Sequence, residues 1–202
     1  MTRSLIVEFI GSFFLVATIV GSGIMGEKLS NGNDAITLLC NTIATGAILF
    51  VIIKSFSNIS GAHFNPIVSM VFFLKNEIPQ KTFFYFFIVQ VTGSLLGVLI
   101  IHYIFDLQLF QISKNIRGEE RMLISEALAS LGLITTILFV RENNSNDIAL
   151  AVALFITAGY WFTSSTSFAN PAVTVARIFT NTFTGIHPVS VLYFITGQIT
   201  GS

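Results

Sequence analysis

The chain has 202 residues, of which 53% are hydrophobic and only 10% charged, and its mean hydropathy is +0.81. Soluble domains carry about 25% charged residues, so the composition excludes an ordinary soluble fold and points to an all-α membrane protein. Ten basic residues balance ten acidic ones, which leaves no charge excess for nucleic acid, and the single Cys40 reads as a small apolar residue rather than half of a disulfide.

A helix needs about 20 apolar residues to cross a bilayer. Residues 5–25 make the first such span. Arg3 followed by an apolar run has the look of a signal peptide, but Glu8 interrupts the run and no small-residue cleavage site fits, so the segment is read as a retained helix. Residues 35–53 make the second span, ended by Lys54. A polar stretch, 55–62, then leads into Asn65-Pro66 and a short apolar run to Leu74. The third span is 82–105, followed by the longest polar connection, 106–121. The fourth is 122–140 and the fifth 148–162. A Ser/Thr-rich approach leads to Asn170-Pro171 and a second short apolar run to about Thr180. Residues 189–202 begin a sixth span. Counted from Pro188 it has about 22 Å of helix at 1.5 Å per residue, against an apolar core about 30 Å thick, so its end is expected to be missing.

The chain repeats itself. Ser60-Gly61-Ala62-His63-Phe64-Asn65-Pro66-Ile67 is answered by Ser165-Thr166-Ser167-Phe168-Ala169-Asn170-Pro171-Ala172. Glu8, early in the first span, is answered by Glu126, early in the fourth. Gln90-Val91-Thr92-Gly93-Ser94 is answered by Gln198-Ile199-Thr200-Gly201-Ser202. Three markers in the same order and at similar offsets divide a single domain, 1–202, into repeats at 1–105 and 122–202. Each repeat holds an odd number of spans, so the second enters the membrane from the opposite side, and the two interrupted helices meet near the midplane. Five Lys/Arg fall on each side of the membrane, and charge therefore selects no orientation.

Asn is a favoured N-cap and Pro is tolerated at the first helical position, so each Asn-Pro reads as a helix start. A half-helix that begins inside a membrane leaves its first N–H groups free and aims about half a positive charge at what faces it. Two such ends pointed at one place repel cations. Unwound backbone at that depth is tolerated only within protein or beside water. A row of carbonyls with the Asn65 and Asn170 amides at its centre suits a small neutral molecule that both donates and accepts.

These residues carry a resemblance to the aquaporins of the major intrinsic protein family, over essentially the whole chain. Asn65-Pro66-Ile67 and Asn170-Pro171-Ala172 resemble its paired Asn-Pro-Ala signatures, and Glu8, Glu126, Gln90-x-x-Gly93 and Gln198-x-x-Gly201 resemble its repeat markers. The resemblance implies an inverted repeat of six transmembrane helices plus two re-entrant half-helices. It further implies a pore in each subunit of a homotetramer in the cell membrane, and passive conduction with no cofactor, metal or catalytic residue. Two departures stand out. Ile67 replaces Ala beside the junction. Val173 follows the second signature where water- and glycerol-conducting members usually carry Arg, and the nearest Arg, Arg177, lies one helical turn further on, where it can reach the pore mouth but not occupy the same place. Counting back from Asn65 puts the second-span filter residue at Thr45; the fifth-span residue is Ala158 or Gly159, and the last wall is Ser167 or Phe168.

Such a filter lacks the fixed cation, the His and the large aromatic, so it should be wide and weakly polar. It should pass water, glycerol-like solutes and metalloid hydroxides such as arsenous acid. Val at this position resembles bacterial aquaglyceroporin-like channels associated with arsenic resistance. Glu8 and Glu126 are intramembrane acids, which favours function; they serve either as acceptors for the descending loops or as a proton relay, and the second role would make the chain a proton-coupled secondary transporter. His63, with no second His or Cys beside it, reads as loop packing and pore wall. His102 and His187 are expected at the membrane interface. No nucleophile–base pair, metal-spaced cluster or Gly-rich phosphate loop argues for an enzyme.

Overall fold

The computed structural model describes residues 1–202 and is all-helical. In chain order the helices are α1 (Thr2–Leu29), α2 (Asp34–Ser60), α3 (Pro66–Leu74), α4 (Gln80–Ile104), α5 (Glu120–Asn143), α6 (Ile148–Phe162), α7 (Pro171–Ala176) and α8 (Pro188–Thr200). A 3-10 turn, Ser145–Asp147, precedes α6, and a second, Arg177–Phe179, continues α7. Five of the helices, α1, α2, α4, α5 and α6 with its leading turn, are long and apolar enough to cross a membrane. The chain is a multi-pass membrane protein.

Local signals set most boundaries. Asn33 caps α2, its side-chain oxygen accepting from Ala35 N and Ile36 N at 3.1 and 3.2 Å. α2 then runs to Ser60, well past the Lys54 stop expected from the sequence, and ends at Gly61 with a left-handed φ of 90°. The polar residues that suggested unwound chain, Ser57, Asn58 and Ser60, instead sit on a helix that lines the central cavity. The first unwound approach is therefore only 61–65, whereas the second, 163–170, is longer. His187 caps α8 by accepting from Val189 N at 3.2 Å, and Pro188 follows at the first helical position.

The two halves use the same neighbours. α1 packs on α2 and α4; α5 packs on α6 and α8; α2 meets α6 across the middle. The half-helices α3 and α7 lie inside this frame, and α4 touches both. Glycine allows the closest seams. A Cβ on Gly97 would lie 2.7 Å from the Phe13 carbonyl oxygen, and one on Gly93 would collide with the Phe9 carbonyl. In the second half Gly201 meets the Ala127 carbonyl in the same way. Backbone cannot step aside as a flexible side chain can. Gly93→Leu should therefore force α1 and α4 apart at a cost of about 1–3 kcal/mol or more, read as a lower melting temperature of purified protein in detergent; an unchanged one would mean that the seam is slack.

The connection 105–119 folds back over the segment that follows α7. Ser113 N donates to Ile178 O at 2.8 Å, and His187 N donates to Asn115 O at 2.8 Å. Lys114 N donates to the Asn181 side chain at 2.9 Å. His102 takes part as well. In the last turn of α4 it is fully buried within the protein, its ring nitrogens bonded to Leu109 O and Thr180 Oγ1, each at 2.9 Å.

Candidate functional site

The two Asn-Pro junctions meet. Asn65 Nδ2 donates to Ala169 O at 2.6 Å, and Asn170 Nδ2 donates to Phe64 O at 2.8 Å. Each asparagine thus ties its own half-helix to the last carbonyl of the opposite loop. Each also caps its helix: Asn65 Oδ1 accepts from Ile67 N at 3.0 Å, and Asn170 Oδ1 from Ala172 N at 3.0 Å and Val173 N at 3.3 Å. An amide nitrogen has two N–H groups, so the second remains for a solute, and both asparagines line the cavity. The carbonyls that receive these bonds belong to residues with left-handed backbone, Phe64 at φ 48° and Ala169 at φ 45°. Ala62, Thr166 and Ser167 share that conformation. Each such residue costs about 1–3 kcal/mol, so something must hold the loops in place.

Two buried carboxylates do so. Glu8 Oε1 accepts from Ser60 Oγ at 2.6 Å and His63 N at 2.9 Å, while Oε2 accepts from Phe64 N at 2.7 Å and Gln90 Nε2 at 2.8 Å. Glu126 accepts from Phe168 N at 2.9 Å, Ala169 N at 2.8 Å and Gln198 Nε2 at 2.6 Å. Gln90 also donates to Ser69 Oγ, and Gln198 to Thr174 Oγ1; these hydroxyls donate in turn to Asn65 O and Asn170 O. The same Glu–Gln–hydroxyl–Asn chain thus occurs once in each half, built from the residues that marked the repeat in the sequence. Neither carboxylate lines the cavity.

That cavity, of about 540 Å³, is continuous from Glu77 and Arg141 at one end, through both asparagines, to Arg177 at the other. At the first mouth Arg141 and Glu77 form an ion pair at 2.7 Å. His63 follows, its Nδ1 3.0 Å from Ser69 Oγ and its ring stacked on Phe72 at 4.7 Å. Ile67 is buried but stays off the lining, as do Pro66, Pro171 and Ala172.

Beyond the junction the wall holds Thr45, Ser167, Phe168 and Val173. Gly159 is not on it. Ser167 packs against the space where a Gly159 Cβ would stand, 2.6 Å from Ser167 Oγ. α6 instead contributes Ile148, Ala149, Val152, Ile156 and Tyr160 to the cavity wall, and the Tyr160 hydroxyl is 3.1 Å from Thr45 Oγ1. Ser167 Oγ is buried and has no protein partner. The filter expected from the sequence had no fixed cation, and Phe168 stood in it only as the alternative to Ser167; the cavity wall has both of these residues, together with Tyr160 and Arg177. Arg117, from the 105–119 connection, braces this end, its Nε donating to Gly185 O at 2.6 Å and its Nη2 to Phe183 O at 2.8 Å. Burial lowers its pKa to about 10, so it remains cationic at neutral pH.

Comparison with known proteins agrees with this geometry. The family model described as major intrinsic protein matches residues 1–146. Over 202 residues the chain is 44% identical to the aquaglyceroporin AqpS of Rhizobium meliloti (strain 1021), covering 100% of this chain and 86% of that one. It is 31% identical over 146 residues to the putative aquaporin NIP4-1 of Arabidopsis thaliana, covering 71% and 50% of the two chains. The X-ray structure of the aquaglyceroporin from Plasmodium falciparum matches the fold with a TM-score of 0.74 at 22% identity, covering 99% of this chain and 91% of that one.

Proposed function

We propose, from the premise that this chain belongs to the major intrinsic protein family, that its channel for water- and glycerol-type solutes also conducts neutral metalloid hydroxides such as arsenous acid. The observation that carries the reading is Val173. It is buried, it lines the cavity, and it stands directly after Asn170-Pro171-Ala172. An aliphatic side chain there leaves room for a trihydroxide about as bulky as glycerol. Such a solute both donates and accepts, and the wall offers hydroxyls at Thr45, Tyr160 and Ser167 followed by the amides of Asn65 and Asn170. Being neutral, it escapes the repulsion that two converging helix N-termini exert on a cation.

The same reading takes the chain as one pore unit of two repeats, assembled as a homotetramer in the cell membrane. Large apolar side chains exposed on the outer faces of the helices, among them Phe14, Leu39, Phe87 and Leu154, suit lipid and neighbouring subunits. A proton-coupled transporter would need a free carboxylate within reach of the solute, whereas Glu8 and Glu126 are turned away and occupied by loop donors, and Glu77 at the mouth is held in its ion pair with Arg141. Reconstituted protein should raise arsenous acid and glycerol entry into liposomes well above that of protein-free vesicles, with no accumulation beyond equilibrium when a proton gradient is imposed. Arsenous acid entry no faster than in empty vesicles would overturn the metalloid reading.

A further inference from the structure

Arg177 is out of place for a filter residue by sequence spacing, one helical turn after Val173. Its side chain is not out of place. Side chains on a helix lean toward the N-terminus, so a long one at 177 reaches back over the turn that carries Val173. Arg177 is only 2% exposed, yet it lines the cavity together with Thr45, Tyr160, Ser167 and Val173. Two contacts fix its guanidinium. Nε donates to the Thr184 carbonyl, and Cζ lies 3.5 Å from the centre of the Phe168 ring. Arg117 approaches the same ring, its Cζ 5.4 Å from the centre, and holds the carbonyls on either side of Thr184. No carboxylate pairs with Arg177, the one ion pair of the fold being Arg141–Glu77. Its Nη groups donate to no protein atom and are not enclosed, which leaves them to the cavity.

We propose that Arg177 is the selectivity-determining cation of this pore, supplied from one turn beyond Val173, with Phe168 and Arg117 as the residues that position it. The proposal rests on the chain being a neutral-solute pore and says how that pore can be wide without leaking ions. An unpaired guanidinium at contact distance slows a permeating cation by a factor on the order of a thousand at an effective dielectric of about 20. Its planar Nη pair donates to two oxygens at once, which orients a polyol or a metalloid hydroxide as it passes Tyr160 and Thr45. Water needs no such alignment. Arg177 thereby sets the ratio of solute to water as well as the barrier to cations.

The test uses the full chain in liposomes, with water, glycerol and methylammonium fluxes read side by side for wild type, Arg177→Gln, Arg177→Lys and Phe168→Leu. Arg177→Gln should conduct water faster than wild type, admit methylammonium at least about a hundredfold faster, and change the glycerol-to-water ratio. Arg177→Lys should reject methylammonium like the wild type but not recover the wild-type ratio, because an ammonium lacks the planar donor pair. Phe168→Leu keeps the Thr184 contact and should leak in the same direction by a smaller factor, which preserves the test if Arg177→Gln does not assemble. Methylammonium exclusion and a glycerol-to-water ratio both unchanged in assembled Arg177→Gln, or in assembled Phe168→Leu if only that variant forms, overturn the proposal and leave the pore reading standing. A wild type that conducts neither water nor glycerol overturns both.

Discussion

Glu126→Leu is expected to prevent assembly of the second half of the channel, and not merely to retune it. The leucine matches the glutamate in size, so packing is roughly conserved and the lost acceptors account for the effect. Phe168 N, Ala169 N and Gln198 Nε2 all donate to this carboxylate at 2.6–2.9 Å in a site closed to water. A buried donor left without a partner costs roughly 1–3 kcal/mol, so three orphaned donors cost on the order of 5 kcal/mol, about the stability of a marginal protein. The loop that carries Phe168 and Ala169 already holds Thr166, Ser167 and Ala169 in left-handed backbone, and these hydrogen bonds are what offset that conformation. Glu126→Gln keeps one acceptor oxygen in the same place and should fold with a lower melting temperature. The comparison is made by size-exclusion profile and thermal melt in detergent: a monodisperse, undiminished Glu126→Leu protein would mean that the loop is held by something other than this carboxylate.

The framework was legible in the sequence because it is built from the residues that repeat. Glu8 and Glu126, Gln90 and Gln198, and the two Asn-Pro pairs recur in order; each glutamate holds two loop N–H groups and the glutamine of its own half, and each asparagine reaches across to the other half. Helix ends were less legible. The polar run after Lys54 suggested unwound chain, but polar residues facing a wet cavity are compatible with helix, and α2 continues to Ser60. The lining of the cavity was legible where its register was tied to an Asn-Pro anchor by a short or regular path. Thr45 lines the cavity where counting back from Asn65 placed it. On α6 the expectation was Ala158 or Gly159, and the second approach, longer than the first, offers no such regular path. One residue on a helix turns a side chain through about 100°, which separates Gly159, packed behind Ser167, from Tyr160 on the wall. Arg177 was expected to reach the pore mouth without standing in for a residue at 173. Spacing along α7 was counted at Cα, whereas the backward lean of helical side chains was the available signal that a long residue one turn on reaches the same level.

Val173→Arg is expected to separate the channel's solutes by size. Val173 is buried, 3% exposed, and lines the cavity one turn before Arg177. Its N–H is already engaged with Asn170 Oδ1 at 3.3 Å, so the backbone cannot withdraw without uncapping α7, and the longer side chain must project into the lumen. There it meets a second guanidinium that has no carboxylate to offset it. Repulsion keeps the two apart, and the new side chain takes up the free width opposite Thr45 and Tyr160. Solutes as wide as glycerol need that width and should slow by about tenfold or more, a barrier rise of ~1.4 kcal/mol. Water is smaller and bonds readily to a guanidinium, so it should slow by no more than about threefold, roughly 0.6 kcal/mol. Val173→Leu adds bulk without charge and should fall between wild type and Val173→Arg for the larger solutes. Stopped-flow swelling of proteoliposomes resolves the three cases. If water and glycerol fell by the same factor, Val173 would not lie at the constriction, because a side chain acting at the narrowest point must discriminate between molecules of different width.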